Sequence, residues 1–309
     1  MKLMPSRLCA LTALVLTLVP AAASAGPWTR DAGHAFFSLS YGRIASNNIF
    51  GADFSVQPLG ARYEQHALQF YGEVGLISRW LTVTVEQQLL RYGRLLGQGD
   101  TYGVGDLRMG FWTGLVTNPV RLTAAFIAGV PIGDPSPTAG AGADPDAELI
   151  ARSLPTGDGE ADFELRLSFG YSFGKKRRWP LEHYLVAEAG YWFRTQGHSR
   201  DLNGAVIYSN FADDFTYKAE LGTKFPWRFI ERFWFIARLA GIESFADGVS
   251  AQNTCATGLG NGVTYTAYGF ELAGRIYKGL GANIGLDEAI RARCVASGAN
   301  FKIGLTLQF

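Results

Sequence analysis

From Glu160 to Phe173 the chain alternates apolar and polar residues. Phe163, Leu165, Leu167, Phe169, Tyr171 and Phe173 fall on odd positions, and Glu160, Asp162, Glu164, Arg166, Ser168, Gly170 and Ser172 on even ones. A strand sends successive side chains to opposite faces, so one face of this segment is apolar from end to end and the other charged or small. The pattern recurs along the chain. Leu107, Met109 and Phe111 oppose Asp106, Arg108 and Gly110, and Leu185, Ala187, Ala189, Tyr191 and Phe193 oppose Glu188, Gly190, Trp192 and Arg194. Phe215, Tyr217, Ala219 and Leu221 oppose Thr216, Lys218 and Glu220, and Phe301, Ile303, Leu305, Leu307 and Phe309 oppose Lys302, Gly304, Thr306 and Gln308.

The alternation predicts twelve strands, at 34–45, 62–77, 80–92, 103–116, 119–131, 160–174, 183–196, 213–226, 232–245, 262–277, 280–290 and 298–309. Most are longer than a soluble sheet usually needs and suit tilted membrane strands. Their connections alternate in length. Long loops at 46–61, 93–102, 131–159, 197–212, 246–261 and 289–297 are interleaved with short turns at Ser78-Arg79, Thr117-Asn118, Gly174 to Pro180, Pro226 to Glu231 and Lys278-Gly279. An up-and-down barrel in a membrane has this character, with short turns at one rim and long loops at the other. Aromatic residues collect at both strand ends, as two interfacial girdles require. Tyr171, Phe173, Phe225, Phe233, Phe235, Trp179 and Trp227 lie near the turns, and Phe163, Tyr191, Phe193, Phe215, Tyr217 and Phe245 near the loops.

The expected fold is therefore all-β: a transmembrane antiparallel up-and-down barrel of about twelve strands at 26–309, preceded by a cleaved signal peptide at 1–25. The leader is read from Lys2 and Arg7, the apolar run Leu8 to Val19 and the small-x-small site Ala23-Ser24-Ala25. Its removal leaves 26 basic against 27 acidic residues, a balance that argues against a nucleic-acid partner. A soluble β-sandwich also alternates. Against it stand the whole-length Phe and Leu faces, the girdles and the terminal aromatic Phe309. A carboxy-terminal aromatic of this kind resembles the assembly signal of bacterial outer-membrane barrels. It implies the barrel-assembly machinery and outer-membrane lipid as partners, and the bacterial outer membrane as location.

The face opposite the lipid carries Glu73, Glu86, Asp106, Arg108, Arg121, Glu164, Arg166, Glu188, Arg194, Lys218, Glu220, Arg238, Glu271, Arg275, Asp287 and Lys302. An Arg or Lys turned to mid-bilayer lipid would cost roughly 2–4 kcal/mol, which forces these side chains inward. They either line a wet solute path or pair across strands and fill the lumen. Asp106 and Arg108 with Arg121, and Glu271 and Arg275 with Asp287, are the pairings the order of strands suggests. The long segment 131–159 is either a constriction folded into the mouth or a surface loop. Cys255 and Cys294 lie in the last two long loops, which flank one hairpin, and are expected to form a disulfide.

Catalytic, metal and cofactor motifs are not found. His34, His66, His183 and His198 lie near strand ends or in a loop, without triad-like or metal-ligand spacing. The glycine-rich Gly103-Val104-Gly105-Asp106 opens no helix, so it is not read as a phosphate loop.

Two segments carry a family resemblance. Gly103-Val104-Gly105-Asp106-Leu107-Arg108-Met109-Gly110 and Leu154-Pro155-Thr156-Gly157-Asp158-Gly159 resemble the strand start and loop end of the "MetA-pathway of phenol degradation" barrels, which are regarded as relatives of the long-chain fatty-acid transporters. The resemblance implies passive passage of small molecules, including apolar or aromatic ones, and no enzymatic activity. It departs from the fatty-acid transporters in having about eight residues before the first strand, too few for a hatch domain. Two other readings stand beside it: a closed barrel whose loops interact or adhere, and a membrane-embedded lipid-acting enzyme, which would need an outward Ser/His pair that is not found.

Overall fold

A computed structural model describes residues 26–139, 145–174, 181–201, 203–225, 233–246 and 256–309. The elements run β1 (Ala35–Phe50), β2 (Val56–Ile77), β3 (Leu81–Leu95), β4 (Gly99–Gly103), β5 (Leu107–Val116), β6 (Val120–Val130), α1 (Pro145–Arg152), β7 (Asp162–Gly174), β8 (Glu182–Arg194), β9 (Gln196–Arg200), β10 (Val206–Asn210), β11 (Asp214–Lys224), β12 (Phe233–Ser244), β13 (Thr264–Tyr277), β14 (Leu280–Arg293), β15 (Val295–Ala296) and β16 (Asn300–Gln308). Twelve of these strands, all but β4, β9, β10 and β15, form one antiparallel wall in chain order. The wall closes on itself because β1 pairs with both β2 and β16. Closure removes the unpaired edges that an open sheet would expose.

The alternation predicts correctly which face is which. On β7, Leu165 and Leu167 are 52% and 55% exposed, while Glu164 and Ser168 on either side of them are fully buried. The apolar residues therefore point out and the charged ones in, the inverse of a water-soluble globule. At the seam the Phe309 N–H donates to the Ala35 carbonyl at 3.0 Å, and the Phe309 ring meets Phe37 edge-on at 6.0 Å. The turn at Ser78-Arg79 forms as expected, with Arg79 at φ 68, and Lys278 at φ 42 opens the turn at Lys278-Gly279. Trp179, Trp227 and the leader at 1–25 fall outside the described residues.

The long-loop rim is more structured than expected. The segment 46–61 is mostly strand: β1 and β2 continue as a paired hairpin to Phe50 and Val56, leaving a short loop closed by the Gly51 N–H to the Ser55 carbonyl. Within 93–102, β4 folds back on β3. The segment 197–212 holds the β9–β10 hairpin, and 131–159 holds α1. β14 runs to Arg293, and β15 joins β1 within 289–297. Backbone beyond the apolar band still needs hydrogen-bond partners, and pairing supplies them.

Candidate functional site: the barrel lumen

On the β5–β11 side the inward charges form a ladder. Arg108 donates to Glu164 at 2.8 Å and lies 3.6 Å from Asp162, with its guanidinium over the Trp192 ring. Arg166 donates to both Glu164 oxygens at 2.8 and 2.9 Å, and Thr216 adds a third donor at 2.6 Å. Glu188 then bridges Arg166 at 3.5 Å and Lys218 at 3.1 Å. Each buried carboxylate thus has cationic or hydroxyl donors, the condition for ionised groups to persist away from bulk water.

Above the ladder the described parts of the long loops turn inward over the rim. The anchor is Arg194, whose side chain is 2% exposed. It contacts Asp158 at 3.1 Å, Asp214 at 3.3 Å and Glu160, and it donates to the Gly260 carbonyl at 3.1 Å. Burial pushes the Glu160 carboxyl up to about 8, with the adjacent Asp158 charge adding to the rise, and together these outweigh Arg194. Its Oε2 is buried without a partner among the described residues. Two further arginines missed in the sequence reading bind loop carbonyls: Arg91 reaches Thr257 at 2.5 Å and Arg293 reaches Gly262 at 2.7 Å. Tyr63, Leu95, Leu154, Ala256 and Ala296 form a small apolar core beneath this cap, with Ile150 against it. The described residues of 131–159 are therefore folded into the mouth.

Asp106 corrects its expected place. It precedes β5 rather than lying on a wall strand, and it accepts the Gly133 and Asp158 N–H groups at 2.9 and 2.8 Å, so it fastens the cap. It does not pair with Arg121, which sits near the opposite rim in register with Gly170. The second suggested grouping also changes. Arg238, not Arg275, is the partner of Glu271; it lies 3.9 Å from Asp287, which in turn pairs with Lys302. Arg275 lies in register with Gly281, near the short-turn rim. Partners here depend on barrel tilt and on register across strands far apart in sequence.

The short-turn end is organised by a segment the periodicity could not show. Residues before β1 fold back into the lumen. Arg30 pairs with the fully buried Glu73 at 2.6 Å, and the Arg30 N–H donates to Thr82. Trp28 meets Tyr184 edge-on at 5.6 Å, and Pro27 and Trp28 fill the space over Gly170. Pro27 and Trp28 themselves were a signal, being apolar residues with no place on a lipid-facing strand. A cavity of about 700 Å³ remains between this segment and the charged wall. Trp28, Phe36, Tyr184, Trp234 and Ile236 give it aromatic and aliphatic surface, and Glu86, Glu220, Arg238, Glu271 and Lys302 give it charge.

Inward glycines make room for this interior. A methyl group at Gly190 would collide with Glu164, at Gly129 with Asp162, at Gly269 with Asp287, and at Gly222 with Tyr184. Cys294 is fully buried just after β14; its expected partner Cys255 lies outside the described residues. No group of three or more His, Cys, Asp or Glu suited to a metal ion occurs among the described residues.

No family model and no curated protein matches the sequence. Solved structures do match in shape. The COG4313 outer membrane channel from Pseudomonas putida F1 superposes with a TM-score of 0.63 at 13% identity, covering 94% of this chain and 100% of that one. The NanC porin superposes with a TM-score of 0.50 at 8% identity, covering 88% of this chain and 100% of that one. At such identities the likeness is one of fold: this chain is a closed twelve-stranded barrel of the kind found in outer-membrane channels and porins.

Proposed function

We propose that the protein is a channel of the bacterial outer membrane that passes small molecules passively, apolar or aromatic ones among them. The observation that carries this reading is the 700 Å³ lumenal cavity, whose aromatic wall faces a charged one. Ligand sites of this size combine apolar surface with a few placed polar groups. The resemblance of 103–110 and 154–159 to the phenol-degradation barrels supports the same solute class. In this reading the short-turn rim faces the periplasm with both termini, and the capped rim faces outside. Phe309 presents the last strand to the assembly machinery, and Cys255 and Cys294 form a disulfide that ties two external loops. Reconstituted liposomes test the proposal. Entry of a small aromatic solute above the protein-free rate is expected, and a protein that inserts yet passes neither ions nor aromatic solutes would refute it.

A second reading has its own support. Arg194 and the apolar core beneath the loops close the outer rim, and Arg30 and Trp28 narrow the inner one. A sealed barrel whose ordered loops bind other surfaces has these features. Planar-bilayer conductance separates the two, since a sealed barrel carries no current.

A further inference from the structure

We propose that the outer wall carries a binding site for the phosphate groups of outer-leaflet glycolipid, built from Arg43, Arg62 and Arg94. This rests on the membrane reading above. On β1 the outward positions are Phe37, Leu39, Tyr41 and Arg43, the first three belonging to the apolar band. Register places Arg43 beside His66 on β2 and Glu64 beside Arg94 on β3, with Arg62 two positions further along. Three arginines from three adjacent strands thus converge on one outward patch.

Depth identifies what meets this patch. On β2 the outward apolar face runs from Leu76 up to Leu68 and is succeeded by His66, Glu64 and Arg62. Leu76 and His66 are ten residues apart. At roughly 3.3 Å per residue and a tilt of about 40°, that is about 25 Å along the bilayer normal, the height of a barrel's apolar band. His66 therefore marks the interface. It shares a 2.5 Å hydrogen bond with the Tyr41 hydroxyl and lies tilted against the Tyr92 ring at 5.7 Å, a belt of amphipathic rings. The Arg43 and Arg62 guanidinium groups meet at Glu64, just above that belt, where lipid phosphates lie, and register sets Arg94 beside them.

Charge complementarity selects the occupant. Arg43 and Arg62 share a single oxygen of Glu64, at 3.3 and 3.1 Å, and their side chains stay 46% and 45% exposed. Elsewhere on the same rim an outward arginine has a carboxylate to itself: Arg291 contacts both Glu243 oxygens at 3.0 Å. The β1–β3 patch holds three arginines against Glu64 and Asp100, and Tyr92 already donates to Asp100 at 2.8 Å. A guanidinium offers several donors in a planar fork that suits phosphate oxygens.

The full chain in nanodiscs of neutral phospholipid tests this, with added lipid A as probe. Phosphorylated lipid A should bind and raise the unfolding temperature, whereas dephosphorylated lipid A and inorganic phosphate should not. Each Arg→Gln change (R43Q, R62Q, R94Q) should weaken binding about fivefold, the equivalent of about 1 kcal/mol per cation at a charged membrane surface. Arg291→Gln, on the same rim, should leave it unchanged. Equal binding by the triple variant, or by dephosphorylated lipid A, would overturn the site while leaving the channel reading intact. Saturation by inorganic phosphate alone would reassign it to free anions. A chain that never enters the bilayer would overturn both.

Discussion

The two ends of the lumen solve one problem in different ways. At the long-loop end the inward charges are packed away: Glu164 is fully buried with Arg108, Arg166 and Thr216 around it, and Arg194 gathers Asp158, Glu160 and Asp214. At the short-turn end, among the described residues, it is a few before β1 that reach inside, and about 700 Å³ is left open among Tyr184, Trp234, Arg238 and Lys302. Loops long enough to fold inward bring partners and apolar filler with them; a short segment brings Trp28 and Arg30 and stops. Solidity at one end and space at the other therefore follow from how much chain each rim has to spend.

The comparison is broken most directly at Arg194. Arg194→Gln takes the cation from buried Asp214 and Glu160 and half-buried Asp158, and removing one partner of a buried pair costs about 3–5 kcal/mol. Denaturant unfolding in detergent should show that loss, and limited proteolysis should begin to cut within 131–159. At the other end, Arg30→Gln leaves Glu73 buried without its cation but beside an open cavity, so about 2–3 kcal/mol is expected. Its sharper consequence is functional: the segment at 26–34 loosens, and single-channel conductance rises.

The pH dependence separates the ends further. Glu160 is held at about 8 in the folded state, above the value of 4.5 for a free carboxyl. The folded chain then binds this proton more tightly than the unfolded one. Its contribution is complete below pH 4.5 and is lost as pH rises through 8. Proteolysis of the cap should accelerate between about pH 4.5 and 8 in the parent, and Glu160→Gln should flatten that profile. The smallest effect belongs to the hollow end. Glu220 accepts the Tyr184 hydroxyl at 2.7 Å on the cavity wall, and Glu220→Gln should cost about 1 kcal/mol or less. A loss as large as that of Arg194→Gln would mean that the two ends are equally dry.

The strands were legible because a membrane barrel writes its faces into alternate residues, and all twelve lie where the alternation puts them. The rim was not. Beyond the lipid, β1 and β2 carry Asn48, Gln57 and Pro58 on paired backbone, so pairing continues after the apolar signal has stopped. The cap had left a trace: Ile150 and Leu154 are apolar residues in a segment with no lipid face, and they pack beneath the loops. Individual ion pairs were legible as inward charges but not as partners. Arg108 reaches Glu164 across a whole intervening strand, β6, and nothing local in the sequence records that distance.

The inward glycines have a consequence for how such a sequence drifts over time. At Gly190 the missing side chain is the space that the Glu164 carboxylate occupies, and Gly129 and Gly269 stand in the same relation to Asp162 and Asp287. Neither member of such a couple is free to change first: a larger residue evicts a charge from its berth, and a smaller side chain in place of the acid leaves a void beside a cation. The interior of this barrel should therefore diverge by paired exchanges between neighbouring strands, while its oily exterior wanders one position at a time.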